Sequence, residues 1–346
     1  MARKLRTTPI DLALQGGGSH GAFTWGVLDR LLDDTTLQID GVSGTSAGAL
    51  NAAVLATGWA EGGRVGAQAA LRAFWLDVAA QHSPLGGCFG AAGPAWGGLA
   101  AYNLDKNPFY AWGQQFTRWF SPYQFNPLGG NPLRAVVERH VRPQVLTGGQ
   151  LKLFITATSV RTGQPRIFDH RDLSVDALLA SACLPQLFRA VEVQGEPFWD
   201  GGYSGNPALW PLVYNTAALD VLLVQINPLH RLDTPDTAEE IADRINEITF
   251  NAALVGEMRA IAFVQKLIHE GHIAPGEYKY LLLHMVADEA GLAPLNASSK
   301  SNTERSFLEA LHALGHAAAD RWLHEHRRSV GLRSTLDLRS TFLTPR

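Results

Sequence analysis

Cysteine is almost missing from this 346-residue chain. Only Cys88 and Cys183 occur, which leaves no disulfide framework and no cysteine-rich metal site. No excess of either charge stands out: 29 Lys and Arg face 32 Asp and Glu, and no basic stripe offers itself to nucleic acid. No apolar run approaches the ~20 residues needed to span a bilayer. The basic start MARKLRTTPIDLAL turns at once into a short strand pattern and lacks the apolar h-region of a signal peptide. Repeats and low-complexity segments are also missing. The expectation is a soluble, cytoplasmic protein with no nucleic-acid partner. A hydrophobic share of 46% is enough for a sizeable core.

What is present is a rhythm of strands and helices. Ile10 to Leu14 reads as a buried strand that runs into the glycine cluster QGGGSHG. From Gly21 to Leu32 the residues Phe23, Val27, Leu28, Leu31 and Leu32 recur at helical spacing. A second strand is expected over Leu37 to Val42, then GTSAG, then helices over Ala47 to Ala56 and Val65 to Ala80. This order argues for an α/β fold, a parallel sheet with crossover helices. From Ser83 to Leu128 glycine and proline break every period, and eleven aromatics crowd between Phe89 and Phe125. Such an insertion suits a cap over a site, with short helices near Pro108 to Phe120. Strands are expected again at Leu151 to Ser159, Pro165 to Phe168, Ala190 to Val193, Leu219 to Ile226 and Tyr278 to His284. Helices are expected over Ser174 to Ala182, Thr237 to Glu270 and Thr303 to His326. The simplest organisation is one domain over 1–346, with a cap inserted at about 83–130 and a helical C-terminal part at about 237–330.

Three short motifs carry chemistry. Gly44-Thr45-Ser46-Ala47-Gly48 lies between a strand and a helix, as a nucleophile elbow does, where the turn lifts the serine oxygen above the strand ends. The same letters also make a plain strand-to-helix turn. Gly16-Gly17-Gly18-Ser19-His20-Gly21 has two readings. As GxGxxG it fits a dinucleotide fingerprint, with Asp40 at the end of the second strand as the ribose-binding acid. As a row of backbone donors at a helix N-terminus it fits an oxyanion hole. Only the neighbouring GTSAG speaks for the second. A serine also needs a proton acceptor. Of twelve histidines only His20 stands in a suggestive turn, whereas in FWDGGYSGNPAL a strand end delivers Asp200 into two glycines. The bland alternative there is an Asp-Gly-Gly β-turn. An aspartate at its usual pKa near ~3.9 is a feeble base unless it is desolvated and held against the serine.

Together the three motifs resemble the patatin-like phospholipases, bacterial members in particular. Their pattern is a GGGxxG loop, then GxSxG, then DGG or DGA, in that order, and the resemblance covers roughly residues 9–226. It implies a three-layer sandwich, with a mostly parallel central sheet, helices on both faces and, here, the inserted aromatic-rich cap. It also implies a Ser–Asp dyad without a catalytic histidine, acting through an acyl-enzyme on lipid esters. By position Ser46 is the nucleophile and Asp200 its base. The resemblance places the oxyanion hole at Gly16, Gly17, Gly18 and Ser19, supported by Gly21, Gly44, Gly48, Gly201 and Gly202. Some members carry arginine where this chain has His20. The loop's donors are backbone groups, so the reading survives that change.

No metal or cofactor is expected in this chemistry. The partners expected are an acyl-ester substrate and peripheral contact with a lipid surface, to which the aromatic insertion is suited. His312 and His316, four apart on a helix, lack further metal ligands in the pattern. Lys152, Arg166 and Arg171 read as solvated charges. Two alternatives of other classes stand beside the hydrolase: a dinucleotide-dependent oxidoreductase, and a non-catalytic protein binding a lipid or polyester surface. Transfer of the acyl group to an acceptor other than water is a third.

Overall fold

A computed structural model of the protein describes residues 7–80, 98–105, 107–146, 149, 151–231, 233–274 and 276–343. The chain opens with β1 (Thr8–Leu14), a 3-10 turn at Gly18–His20, and α1 (Gly21–Leu32). Then come β2 (Leu37–Thr45) and α2 (Ala47–Ala80). The last is two helices joined at Gly62 and Gly63, whose backbone is not helical, so the break lies between the two expected helices and the first of them runs beyond Ala56. The helices α3 (Pro108–Trp119), α4 (Pro122–Phe125), α5 (Leu133–His140) and α6 (Pro143–Leu146) follow. Of these, α5 and α6 are short and are not among the expected helices, although α5 places Leu133, Val136 and Val137 at helical spacing. Residues 81–97, which include the first part of the expected cap and Cys88, lie outside the described residues.

Next come β3 (Lys152–Ser159), β4 (Pro165–Phe168), α7 (Val175–Ser181), β5 (Val191–Val193) and β6 (Glu196–Asp200). The rest is α8 (Trp210–Asn215), β7 (Asp220–Val224), α9 (Ala238–His269), β8 (Leu282–Val286), α10 (Glu289–Leu292) and α11 (Arg305–His326). Among the described residues eight strands form one sheet in the order β5-β6-β3-β2-β1-β7-β8, with β4 also on β3. The five strands β3, β2, β1, β7 and β8 are parallel. In β7 all five residues are buried, as expected of a strand covered on both faces. Side chains alternate between two cores: Leu222 and Val224 enter one, Val221 and Leu223 the other. The larger core lies under α1, α2, α7 and α11, the smaller one under α8 and α9. This is a mixed α/β fold with helices on both faces of a central sheet.

The closing helix α11 is part of the larger core. It crosses α1 where both carry glycine: a Cβ on Gly26 would lie 1.9 Å from His312 O, and one on Gly315 1.9 Å from Phe23 O. Backbone meets backbone there with no room for a methyl group. His312 is spent in the same contact, its Nε2 3.0 Å from Asp29 Oδ2 and its ring 4.0 Å from that of Trp25.

Candidate active site

Strand β3 arranges the site. Its edge pairs with β2 up to Thr156, while β4 covers the opposite edge from Ile155 to Thr158. The pairing of β6 with Ala157 to Ser159 therefore falls on the edge that β2 has left. β2 runs parallel to β3 and β6 antiparallel, so the two strands run head-on and their C-terminal ends meet. One ends at Thr45 and turns into Ser46, and the other ends at Asp200. The motifs GTSAG and DGG, ~150 residues apart in sequence, become neighbours by this register alone.

Ser46 sits at φ 54°, a left-handed conformation that costs a non-glycine residue energy and is typical of a strained elbow. Its N–H is pinned by Ser181 Oγ at 2.9 Å, and that hydroxyl donates to Thr156 O at 2.6 Å. The residue is buried, 7% exposed. Asp200 is fully buried. Its N–H donates to Cys183 O at 2.8 Å, its carbonyl accepts from Thr158 Oγ1 at 2.8 Å, and its Oδ1 accepts from Gly202 N–H at 2.7 Å. Gly201 allows this approach: a Cβ there would lie 2.1 Å from Thr156 O. Burial pushes the Asp200 carboxyl up to about 6, against the opposing pull of the Gly202 N–H, the Ser46 hydroxyl and the Lys300 charge. Ser46 is thus near enough to influence the carboxylate, yet buried Oδ2 has no partner at full hydrogen-bond geometry.

The glycine loop lies against the elbow, since a Cβ on Gly16 would come within 2.6 Å of Ser46 Cβ. Gly16 itself is fully engaged: its N–H donates to Asn206 Oδ1 at 2.6 Å and its carbonyl accepts from Asn227 Nδ2 at 2.7 Å. Gln15 anchors the loop's root, its Oε1 accepting from the N–H groups of Ile226 and Asn227 at 2.9 Å each. Among the described residues no protein acceptor meets the N–H of Gly17 or Gly18. Gly18, at φ 58°, then opens the 3-10 turn into α1. His20 is turned away from this surface. Its Nε2 meets Ser299 Oγ at 2.8 Å and its ring packs edge-on against Phe307. Burial, with the charges of Lys300 and Arg231, lowers its pKa to about 3 and leaves the imidazole neutral. Among the described residues no histidine bonds to Ser46 or Asp200.

Asp40 is not where a ribose-binding acid would stand. β2 does not end there but continues to Thr45, because both its edges stay paired with β1 and β3. That leaves Asp40 on the order of 13 Å below the glycine loop at ~3.3 Å per residue. Its carboxylate accepts from Ala217 N–H at 2.6 Å and pairs with Lys152 at 3.2 Å. Arg166 and Arg171 pair with Asp172 and Asp169 on the surface. Among the described residues no three His, Cys, Asp or Glu side chains gather as a metal site. The network of Gln15, Ser181, Asn206 and Asn227 escaped sequence reasoning, although Gln15 adjoins the glycines and Asn206 follows the DGG turn by a few residues.

The patatin-like phospholipase family model matches residues 12–213, more than half of the chain and all three motifs. The chain belongs to the patatin-like phospholipase family. Among solved structures it is similar to VipD from Legionella pneumophila, at 12% identity and a TM-score of 0.43, over 93% of this chain and 67% of that one. No curated protein matches it in sequence. Membership supports a lipid acyl hydrolase in general terms, and the patatin-like fold is the one described above.

Proposed function

We propose that the protein is a serine lipid acyl hydrolase in which Ser46 and Asp200 act as a dyad. The observation that carries this reading is the head-on meeting of β2 and β6 on one edge of β3, which brings a strained serine and a buried aspartate together. Asp200 accepts the Ser46 proton as the oxygen attacks an ester carbonyl. The free N–H groups of Gly17 and Gly18 are the donors for the oxyanion, with Ser19 beside them at the helix start. Gly16 supports the loop rather than donating, because its N–H is already held by Asn206. Asp200 then gives that proton to the departing alcohol as the ester bond breaks and the acyl-enzyme forms; the freed carboxylate takes a proton from the attacking water and returns it to Ser46 as the carboxylic acid leaves. The substrate class is a lipid ester, met at a surface through the aromatic segment, where Trp112, Trp119, Phe120 and Tyr123 are exposed.

A fluorophosphonate probe and a panel of p-nitrophenyl and phospholipid esters test the reading. The wild-type protein is expected to label and to hydrolyse. Ser46→Ala is expected to do neither while melting cooperatively, and Asp200→Asn to lose on the order of 10³-fold in kcat. Hydrolysis retained by Ser46→Ala would remove the assignment.

A further inference from the structure

Between the glycine loop and the Asp200 turn stands a side chain that none of the motifs contains. Lys300 belongs to the 3-10 turn Ser298–Ser301, between α10 and α11 and well beyond the matched residues 12–213. Its backbone lies on the glycine loop, for a Cβ on Gly18 would come within 2.4 Å of Lys300 O. The neighbouring Ser299 holds His20. As a residue Lys300 is half-buried, but its ammonium is enclosed. Nζ donates to Asn227 Oδ1 at 3.0 Å and to Asn246 Oδ1 at 3.2 Å, and lies 5.8 Å from the centroid of the Phe250 ring. The same ring closes over Gly202, where a Cβ would meet it at 2.2 Å. Each half of the site is therefore one residue away from this cation.

The link to the loop has a direction. Asn227 presents its oxygen to the ammonium and its Nδ2 to Gly16 O, so the cation polarises the amide that grips this carbonyl. Gly16 C=O and Gly17 N–H belong to one planar, trans peptide and point opposite ways. Holding the oxygen on Asn227 aims the Gly17 N–H away from it and makes it a stronger donor. The charge is also left free to act at a distance. Both direct acceptors of Nζ are neutral amides. Glu247, the carboxylate that acts on it most strongly, is already paired with Arg231 at 2.6 Å and Arg244 at 3.0 Å. The charged groups that face the ammonium are Glu247 and Asp243 on α9, Asp200, and Arg231, which opposes it, while His20 is neutral. An enclosed cation without a contacting counter-charge is costly to fold around, and burial lowers the Lys300 pKa against the opposing pull of Glu247, Asp243 and Asp200.

We propose that Lys300 is a positioning residue for the reaction at Ser46. Through Asn227 its ammonium holds the Gly16–Gly18 loop in its anion-binding form, and its field favours both the oxyanion and the ionised Asp200. The inference rests on the dyad reading, and one experiment separates the two. Steady-state hydrolysis of p-nitrophenyl butyrate is measured from pH 5 to 9 for wild type, Ser46→Ala, Lys300→Met and Lys300→Arg, each with a melting curve. Lys300→Met is expected to lose ~10²-fold in kcat, as for loss of one oxyanion donor, with KM within about twofold. The acid limb of its kcat/KM profile moves to higher pH, because the cation no longer lowers the Asp200 pKa. Lys300→Arg returns the limb towards wild type while kcat stays reduced, since a guanidinium fork does not fit between two amide oxygens placed for one nitrogen.

Wild-type kcat in folded Lys300→Met overturns the inference. So does a lowered kcat with an unmoved limb, which reduces Lys300 to a structural part. If Lys300→Met does not fold, Asn246→Ala takes its place: a several-fold lower kcat at constant KM supports the inference, and wild-type kcat overturns it. Activity in Ser46→Ala would instead sink the dyad itself.

Discussion

In the proposed dyad Asp200 carries two opposite demands. An aspartate near ~3.9 is ionised at neutral pH but holds a proton too weakly to be an effective base. Burial raises its pKa to about 6, which strengthens the base and brings its titration into the working range. The expected kcat/KM profile therefore rises through a midpoint near pH 6 and is flat above it. A midpoint near ~4, the value for an aspartate in water, would contradict the buried base. Stability has the reverse sign. Because the folded pKa exceeds the unfolded one, folding takes up a proton, and this group's contribution falls as pH rises from about 4 to about 6. Asp200→Asn keeps an oxygen for the Gly202 N–H and removes the charge. It is expected to melt higher than wild type at pH 8 and level with it near pH 4; a difference that ignores pH would refute this account. The position of Asp200 was legible in its DGG turn. Its pKa was not, because the groups that desolvate and fix it, Cys183, Thr158 and Phe250 behind Gly202, come from other parts of the chain.

On α3 and the turn after it, aromatic side chains bind the segment together, and some of the same rings also face outward. Phe116 stacks on Trp112 and Phe120 at 5.5 and 4.7 Å and meets Phe125 at 5.8 Å. The Arg189 guanidinium lies 4.8 Å from the centroid of the Tyr123 ring, next to the Cys183 stretch that supports Asp200. Trp112 and Trp119, seven apart on one helix, remain 64% and 74% exposed. Paired exposed tryptophans on an amphipathic helix suit the boundary of a lipid surface. Replacing both with alanine is expected to lower hydrolysis of phospholipid vesicles ~10-fold or more, and to leave a soluble short-chain ester within about twofold. Equal losses on both substrates would assign the pair to folding or to acyl binding instead. Elements with a clean period were readable from sequence, as α1, β1 and β7 show. The last strand was not: Tyr278 to His284 looked extended, but β8 is Leu282–Val286. Lys279 is held out of the sheet by the carbonyls of Thr216 and Ala218, contacts that no local pattern encodes.

At the scale of the whole molecule, the matched residues 12–213 hold every motif but not a complete sheet. β1, whose end carries the glycine loop, lies between β2 and β7, and β7 and β8 come from residues 220–286. Without them, one edge of β1 is unpaired, and Ala13 loses Leu223 and Leu254 from its side of the sheet. Without α11, α1 loses the helix it meets at Gly26 and Gly315, and Phe307, Leu311 and Trp322 leave the larger core. The C-terminal part thus completes the core, and through Lys300 and Ser299 it also touches the loop. An open central edge beside uncovered apolar helices favours association over folding. A chain ending at residue 213 is therefore expected to aggregate on size-exclusion chromatography, with no cooperative thermal transition and no fluorophosphonate labelling. A soluble fragment that melts cooperatively would show that the motif-bearing half folds by itself, and would turn the rest of the chain into an accessory to it.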